Sequence, residues 1–319
     1  MNEKHGCEDA FADSAAVSVV LACYTERRLP SIRAALNSLQ EQSLRPDRVI
    51  VAVDNNEKLA GILAEEFGWA TVVLNSGDRG ASATRNRGVT AVRTPLTAFL
   101  DDDETADPDW LRLLVTPFAD PGVVGTGGKY EPSWHAPKPA WFPDEFAWVV
   151  GGSYEGLPTT TERVRNVWSG NMAVRTETFR LVSGFRTDFG KRGSIPQPED
   201  TDLCIRMAAA GGGHWMYVPA SVIYHDVPAD RASLRFFVRR CFAEGAGKAV
   251  MQRHLAVETA TDDEHAYART VFMAALARLT KRHRAAGRQG AVMLVGLASA
   301  GAGYVRGMAA PLSADGVAA

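Results

Sequence analysis

Four acidic residues in a row follow an uninterrupted apolar segment in the first third of the chain. Residues 95–100 carry no charge and predict a buried strand, and Asp101-Asp102-Asp103-Glu104 follows them directly. Crowded like charges repel one another unless a cation or polar ligand offsets them. Hard divalent cations such as Mg²⁺ and Mn²⁺ prefer carboxylate oxygens together with substrate phosphates. The pattern favours a strand end that holds a metal-bound diphosphate, and a solvated acidic loop is the alternative.

Short apolar runs alternate with helical segments along the same half of the chain. Strands are predicted at 17–22, 49–53 and 71–74, and helices at 30–42 and 82–92. This alternation predicts right-handed βαβ units and a mostly parallel sheet in an α/β domain. Ligands of such sheets bind beyond the carboxyl ends of the strands. Those ends carry Tyr24-Thr25-Glu26, Asp54-Asn55-Asn56 and the aspartate triplet, so we expect one shared polar cleft.

Composition excludes several classes of protein. The chain has 319 residues with 46% hydrophobic and 23% charged residues, enough for a large α/β domain with a smaller appendage. A net charge of −2 gives no electrostatic case for nucleic acid as a partner. We expect a disordered tail over 1–15, an α/β domain over 16–228 and a helical extension over 229–319. The tail lacks the apolar core of a signal peptide, which favours a cytoplasmic protein.

The predicted α/β domain contains three further polar features. Glu199-Asp200 opens a predicted helix, His225 ends a predicted strand, and Arg85 lies in the helix before the aspartates. Each has a structural alternative. The two acids could only stabilise the helix dipole, the histidine could be a hydrogen-bonded core residue, and the arginine could be a charge on a helix surface. Between them, 129–161 is irregular and rich in aromatics, which predicts packing or contact with an acceptor.

The last third is predicted to be helical. Residues 291–305 are apolar but shorter than the roughly 20 residues that a spanning helix needs. Basic residues precede this segment, so we expect a buried or interfacial helix with at most peripheral membrane contact. A homo-oligomer built through these helices is a further expectation.

In this order and spacing the motifs resemble the family 2 glycosyltransferases of the GT-A fold, which are inverting enzymes that use nucleotide-diphospho-sugars. The resemblance covers about 17–226 and implies a Rossmann-like central sheet flanked by helices. It is carried by 24–26, 54–56, Ala83-Thr84-Arg85-Asn86-Arg87-Gly88, 99–103, 169–175, Ser183-Gly184-Phe185, 199–206 and 222–225.

The resemblance implies a nucleotide-sugar pocket on seven residues. These are Thr25, Glu26, Asp54, Arg85, Asp101, Asp102 and Asn171. Asp54 would contact the base or ribose, and Arg85 the diphosphate. Asp101 would contact the ribose or the donor sugar, and the unusual Asp102 in the middle of the triplet could share that role.

The resemblance also implies a metal site and a catalytic base. Asp103 and His225 would ligate Mg²⁺ or Mn²⁺, Asp200 would deprotonate the acceptor hydroxyl, and Glu199 would orient the acceptor or backbone. The expected donor is a UDP-sugar, and the acceptor is a lipid carrier, a polysaccharide or a small metabolite. One alternative is a sugar nucleotidyltransferase, although 23–28 lacks the glycine-rich loop expected there. Another is a non-catalytic nucleotide-sugar-binding module.

Overall fold

The chain folds into two compact units. The computed structural model describes Phe11, 15–187, 199–255, 262–281 and 283–309. The first unit comprises the described residues up to Glu131, Pro158–Thr187 and Glu199–His225, and the second comprises Pro132–Leu157 and the described residues from Asp226 onward. The second unit thus contains Pro132–Leu157 in addition to the predicted helical extension. Most of the predicted tail lies outside the described residues, but Phe11 packs against the core of the first unit.

The predicted strands and helices occur in the predicted order, among further elements that the pattern did not predict. Up to Trp134 the elements are β1 (Val17–Cys23), a short 3-10 helix (Glu26–Arg28), α1 (Leu29–Gln40), β2 (Arg48–Asp54), α2 (Glu57–Glu66), β3 (Thr71–Asn75), α3 (Ala81–Val89), β4 (Leu96–Asp101), β5 (Glu104–Ala106), α4 (Trp110–Val115) and β6 (Val123–Trp134). A 3-10 helix (Asp144–Val150), β7 (Glu162–Val164), β8 (Asn171–Arg175), α5 (Thr176–Leu181), α6 (Glu199–Gly211) and β9 (His214–Val227) follow. Three helices complete the chain: α7 (Leu234–Leu255), α8 (Asp262–Leu279) and α9 (Arg284–Ala309).

The sheet has nine strands, in the order β3-β2-β1-β4-β8-β6-β9-β5, with β7 paired to β9. The strands β1 to β4 are parallel to one another, as the βαβ pattern predicts. Further pairs are antiparallel: β8 pairs with β4 and β6, and β9 pairs with β5 and β7. The parallel prediction thus applies to the N-terminal half of the sheet, where helices separate successive strands.

Strand register gathers the polar strand ends at one edge. Asp101 at the end of β4 pairs with Ala22 of β1, and Asp54 at the end of β2 pairs with Asn75 of β3. On the antiparallel side, Glu104 pairs with His225. Residues separated by more than 100 positions in sequence therefore meet at one strand end.

Apolar clusters cover both faces of the sheet. Val17, Val19 and Leu21 of β1 belong to one cluster, and Val20 belongs to the other, as the two-residue period of a strand requires. The sheet is thus buried on both faces, and its acidic groups Asp54 and Asp101 lie at strand ends.

The second unit has an aromatic core. Phe142 and Phe146 are buried with Phe237 of α7, so these aromatics of the irregular segment have a packing role. Trp134, Trp141 and Trp148 pack against this cluster. The apolar segment near 291–305 was predicted to be too short to span a membrane. The helix that contains this segment is longer than the segment itself: α9 has 26 residues and is long and apolar enough to cross a membrane by length and composition alone, a test that the core helix of a soluble protein also passes.

Candidate functional site

Arg28 neutralises part of the acidic strand end. Its guanidinium forms an ion pair with Asp102, and its Nη2 lies 3.1 Å from Asp103 Oδ2. Arg28 follows Thr25, whose hydroxyl caps the short 3-10 helix after β1. The loop after β1 is thereby tied to the loop after β4.

The acidic strand end still carries an excess of negative charge. Burial raises the pKa of the Asp102 carboxyl to about 7, with further contributions from Asp103 and Asp101 that Arg28 partly opposes. Burial and the same two aspartates also raise the pKa of Glu104. Among the described residues, Asp102 Oδ2 is buried and accepts no hydrogen bond. This site therefore has unused capacity to hold a positive charge.

Arg85 is a buried cation and not a surface charge. It is only 4% exposed, its Nη2 lies 2.5 Å from Asp101 Oδ1, and its guanidinium stacks 5.5 Å from the centre of the Phe185 ring. Burial by itself would lower the pKa of Arg85, but the carboxylates of Asp101 and Glu199 raise it further than burial lowers it. Its Nη1 is buried and donates no hydrogen bond within the described part of the chain.

A clamped turn supports the ring beneath Arg85. Ser183 and Gly184 both adopt positive φ, at 59° and 68°, which is unfavourable for a serine. Arg206 donates to the carbonyls of Val182 and Gly184 at 2.7 and 2.9 Å. Arg206 is held in turn by buried Asp202, with 2.6 Å between Nη2 and Oδ2.

Asn86 fixes the next residue of the same turn. Its side-chain amide donates to the Phe185 carbonyl at 2.7 Å and accepts from the Phe185 N–H at 2.9 Å. The clamp residues Asn86, Asp202 and Arg206 therefore position the aromatic support of Arg85.

Asp54 organises the ends of β2 and β3. One carboxylate oxygen accepts from the Gly80 N–H at 2.9 Å, and the other accepts from Asn75 and Asn55 at 3.2 and 2.9 Å. Gly80 has a φ of 120° and precedes α3, so this bond anchors the start of the helix that carries Arg85.

Glu26 lies at a second, more exposed position of the predicted nucleoside pocket. It accepts a hydrogen bond from Asn56 at 3.0 Å and faces Lys58 at 3.6 Å. The Asn56 hydrogen bond is the main reason that the pKa of Glu26 is lowered. Its carboxylate is therefore ionised and oriented before any ligand binds.

Glu199 and Asp200 begin α6 on the same side as the acidic strand end. Glu199 acts electrostatically on Arg85. Asp200 accepts from the Thr201 N–H at 2.7 Å. Burial first, and then Glu104, Asp101 and Asp200, raise the pKa of the Tyr130 hydroxyl, so Asp200 shares a neighbour with the strand-end acids.

His225 and Asp103 adjoin each other, with 3.7 Å between His225 Nε2 and Asp103 Oδ2. Within the described ranges there is no group of three or more His, Cys, Asp and Glu side chains arranged to hold a metal ion. Mg²⁺ and Mn²⁺ commonly use one or two protein ligands and complete their shell with phosphates and water. Two ligands beside an excess of carboxylates fit that mode of binding.

The geometry does not support donor contact by Asn171. The residue is fully buried, its Oδ1 accepts from Trp110 Nε1 at 2.7 Å, and its Nδ2 donates to the Lys129 carbonyl at 3.0 Å. Both ends of the amide are therefore engaged in joining β8 to α4 and β6. The structure gives Asn171 a supporting role beneath the site instead of the predicted one in it.

Two residues near the site had no role in the sequence-based prediction. Arg28 pairs with the triplet, and Tyr130 is buried among Asp101, Glu104 and Asp200 with its hydroxyl donating to the Trp168 carbonyl at 3.1 Å. The only signal for Arg28 was its position just beyond a strand end. The proximity of Tyr130 to three acids depends entirely on tertiary structure.

The chain is similar to known glycosyltransferases. The model of the family described as Glycosyl transferase family 2 matches residues 18–183. A glucosyl-dolichyl phosphate glucuronosyltransferase from Haloferax volcanii is 32% identical over 305 residues, which cover 92% of this chain and 97% of that protein. The similarity to this relative therefore extends well beyond the family match and into the C-terminal helices.

Two solved structures have a similar fold. A mannosyltransferase from Pyrobaculum calidifontis in complex with GDP-Man and Mn²⁺ matches with a TM-score of 0.55 and 18% identity, over 93% of this chain and 95% of that one. GalNAc-T7 with UDP, GalNAc and Mn²⁺ matches with a TM-score of 0.52 and 14% identity, over 79% of this chain and 55% of that one. Both comparisons assign the GT-A type of α/β fold.

Proposed function

The chain belongs to glycosyl transferase family 2 and is a glycosyltransferase, and we propose that it moves a sugar from a nucleotide-diphospho-sugar to an acceptor hydroxyl with inversion. The observation that carries the proposal is the environment of Arg85. This buried cation is paired with Asp101 from the strand end and lies within electrostatic reach of Glu199 from the start of α6. It thus links the proposed donor site to the proposed catalytic helix.

Three side chains have roles in the proposed reaction. Asp200 accepts the proton of the acceptor hydroxyl, whose oxygen attacks the anomeric carbon while the bond to the diphosphate oxygen breaks. Arg85 stabilises the charge on the departing diphosphate, and its spare buried Nη1 is a donor suited to a phosphate oxygen. Glu199 orients the acceptor or the neighbouring backbone.

Donor recognition is proposed at the ends of β1, β2 and β4. Thr25, Glu26 and Asp54 line the nucleoside side, and Asp101 with Asp102 contacts the ribose or the sugar. A UDP-sugar is the proposed donor. GalNAc-T7 was solved with UDP and the Pyrobaculum calidifontis mannosyltransferase with GDP-Man, so a guanosine donor is the main competitor.

A divalent cation is part of the proposal. Asp103 and His225 would hold it, and the buried acceptor of Asp102 together with the excess of carboxylates fits a bound cation. Bound Mg²⁺ or Mn²⁺ would offset the charge of the leaving diphosphate. Both solved neighbours contain Mn²⁺.

The proposed acceptor is a sugar carried on a lipid phosphate. The Haloferax volcanii relative is named for glucosyl-dolichyl phosphate, and its similarity covers 92% of this chain, including the C-terminal helices. The comparison to make is the rate of transfer to a polyprenyl-phosphate-linked glucose against transfer to a free alkyl glucoside. Equal rates would contradict a lipid-linked acceptor but would leave the proposed transfer from a nucleotide sugar unaffected.

Asp200→Asn tests the catalytic assignment. Turnover should fall by about 10²-fold or more because the amide cannot accept the acceptor proton, while donor binding changes little. Turnover is followed as nucleoside diphosphate released from a panel of nucleotide sugars with Mn²⁺, and donor binding by thermal shift. The matched control is Glu177→Gln, an exposed acid in the first turn of α5.

Different outcomes separate the rival functions. Near-normal turnover of Asp200→Asn would exclude Asp200 as the base. Donor binding without turnover in the natural protein would favour the binding module. Formation of a nucleoside triphosphate from nucleotide sugar and pyrophosphate would favour the nucleotidyltransferase, and turnover that survives a chelator would remove the metal.

A further inference from the structure

The helices α8 and α9 leave an unusual amount of apolar surface exposed. Seven of the twelve large hydrophobic side chains that are exposed in the described part of the chain lie between 272 and 308. On α8 they are Phe272, Met273, Leu276 and Leu279, whose spacing puts them on one face of the helix. On α9 they are Val295, Val305 and Met308. Isolated exposed apolar residues are ordinary, but a concentration of this kind marks a contact surface.

The same region has a one-sided charge. Between His265 and Ala314 the sequence has seven Lys or Arg residues and no Asp or Glu. Arg278 is used internally, since its Nη1 lies 2.5 Å from Glu145 Oε1. The exposed residues Arg269, Lys281, Arg284, Arg288 and Arg306 make no ion pair with any described residue. Their charge is available to an anionic partner.

We propose that this α8–α9 face, defined by the seven exposed apolar side chains and the five exposed basic residues, docks on an anionic membrane surface. Apolar side chains that enter the headgroup region together with basic residues that meet anionic lipid are the two components of interfacial binding. The proposal does not depend on the identity of the donor or the acceptor.

Charge argues against a second copy of the chain as the occupant. A two-fold symmetric contact joins the same patch on both subunits, so the unpaired basic residues of one copy would meet those of the other. With no acid between His265 and Ala314, the patch itself offers nothing to neutralise them. An anionic bilayer supplies the opposite charge that the patch lacks.

Packing argues against α9 as an isolated spanning helix. A Cβ added at Gly303 would collide with the Phe242 carbonyl, and one at Gly307 would lie 2.5 Å from the Ala246 carbonyl, so α9 is closely packed on α7. The helix α7 carries Arg240, Glu244 and Lys248 in an ion-pair network that a hydrocarbon core would not favour. Only the outward face of α9 is left for lipid.

The test is flotation of the full chain with vesicles of phosphatidylcholine alone and of phosphatidylcholine mixed with phosphatidylglycerol. We expect binding to the anionic vesicles that weakens with salt. The double variant Phe272→Ser/Leu276→Ser should weaken it by about tenfold or more, through lost apolar burial. Arg284→Glu/Arg288→Glu should lose the preference for anionic lipid, since each basic residue contributes about fivefold.

Matched controls come from the first unit. Leu181→Ser removes an exposed leucine, and Arg45→Glu reverses an exposed arginine, so neither should change vesicle binding. Thermal unfolding of every variant excludes misfolding as the cause of a loss.

Three results would overturn the proposal: no preference for anionic vesicles, equal losses in the controls, or a dimer that the Phe272→Ser/Leu276→Ser variant dissociates without any change in vesicle binding. Binding that resists both salt and carbonate extraction would mean that α9 spans the bilayer, which also contradicts a peripheral contact. Loss of vesicle binding with unchanged hydrolysis of nucleotide sugars would leave the proposed catalysis intact.

Discussion

The two units of the chain depart from ordinary burial in opposite directions. In the first unit, charged groups are buried: Arg85 is 4% exposed and Asp102 is 3% exposed. In the second, large apolar groups are exposed, with Val305 at 69% and Met273 at 59%. Soluble proteins tend to avoid both arrangements, because a buried charge loses hydration and exposed apolar surface orders water. Each departure marks a surface that a ligand or a bilayer would complete.

The strongest way to sharpen this comparison is to separate the polar groups that support the site from those that act in it. Asn171→Ala leaves the Trp110 Nε1–H and the Lys129 carbonyl unpaired in the core. The free energy of unfolding should fall by about 2–3 kcal/mol, measured by urea denaturation. The donor KM should stay unchanged well below the melting temperature.

The control for this substitution is Asn166→Ala. The Asn166 side chain is half-buried, and among the described contacts it accepts one hydrogen bond, from its neighbour Arg165. It should change stability by about 0.5 kcal/mol or less. A raised donor KM with unchanged stability in Asn171→Ala would restore Asn171 to the donor site.

Packing of the second unit is tested by two glycines on one helix. Gly303 lies against the Phe242 carbonyl, whereas a Cβ at Gly301 meets nothing within 4 Å. Gly303→Ala should lower the free energy of unfolding by about 1–3 kcal/mol through overpacking. Gly301→Ala should raise it by up to about 1 kcal/mol, because alanine has the higher helix propensity. Effects of the same sign would contradict close packing of α9 on α7.

The smallest expected effect concerns Arg28. This half-buried cation pairs with Asp102 and Asp103, so at the proposed metal site it would compete with a divalent ion for the same carboxylates. Arg28→Gln should tighten Mn²⁺ binding by about fivefold, the equivalent of roughly 1 kcal/mol for a partly exposed pair. Calorimetric titration with Mn²⁺ alone measures this directly.

The control is Arg27→Gln, since Arg27 is the exposed neighbour of Arg28. Unchanged or weaker Mn²⁺ binding in Arg28→Gln would mean that Arg28 supports the metal site instead of competing with it.

The local sequence pattern was sufficient to predict those elements that are defined by the period of their apolar side chains and by the polar residues at their ends. The run 95–100 and the acids after it predicted β4 and its charged end, and the alternation with helices predicted the parallel half of the sheet. The acidic start at Glu199 predicted α6. These features depend on neighbours in sequence, which a single chain displays.

Tertiary structure decided everything that depends on distant partners. Asn171 and Asp103 are both polar and near strand ends, yet one is fully satisfied in the core and the other faces His225. From the sequence, Arg85 was predicted to contact the diphosphate, with a surface helix charge as the alternative, and only its enclosure by Asp101 of β4 and the Phe185 turn excludes that alternative.

The sequence by itself determined the alternation of strands and helices in the N-terminal half and the acids that end β4, because the period of the side chains and the residues that end a strand depend on neighbours in sequence. Only the tertiary structure decided which charges meet, since pairing Glu104 with His225 or Arg28 with Asp103 joins segments far apart in the chain. It also decided that the apolar residues of α8 and α9 divide between core and surface. Packing of α9 against α7 and α8 sets that division, and the helical period alone does not identify which stripe is covered.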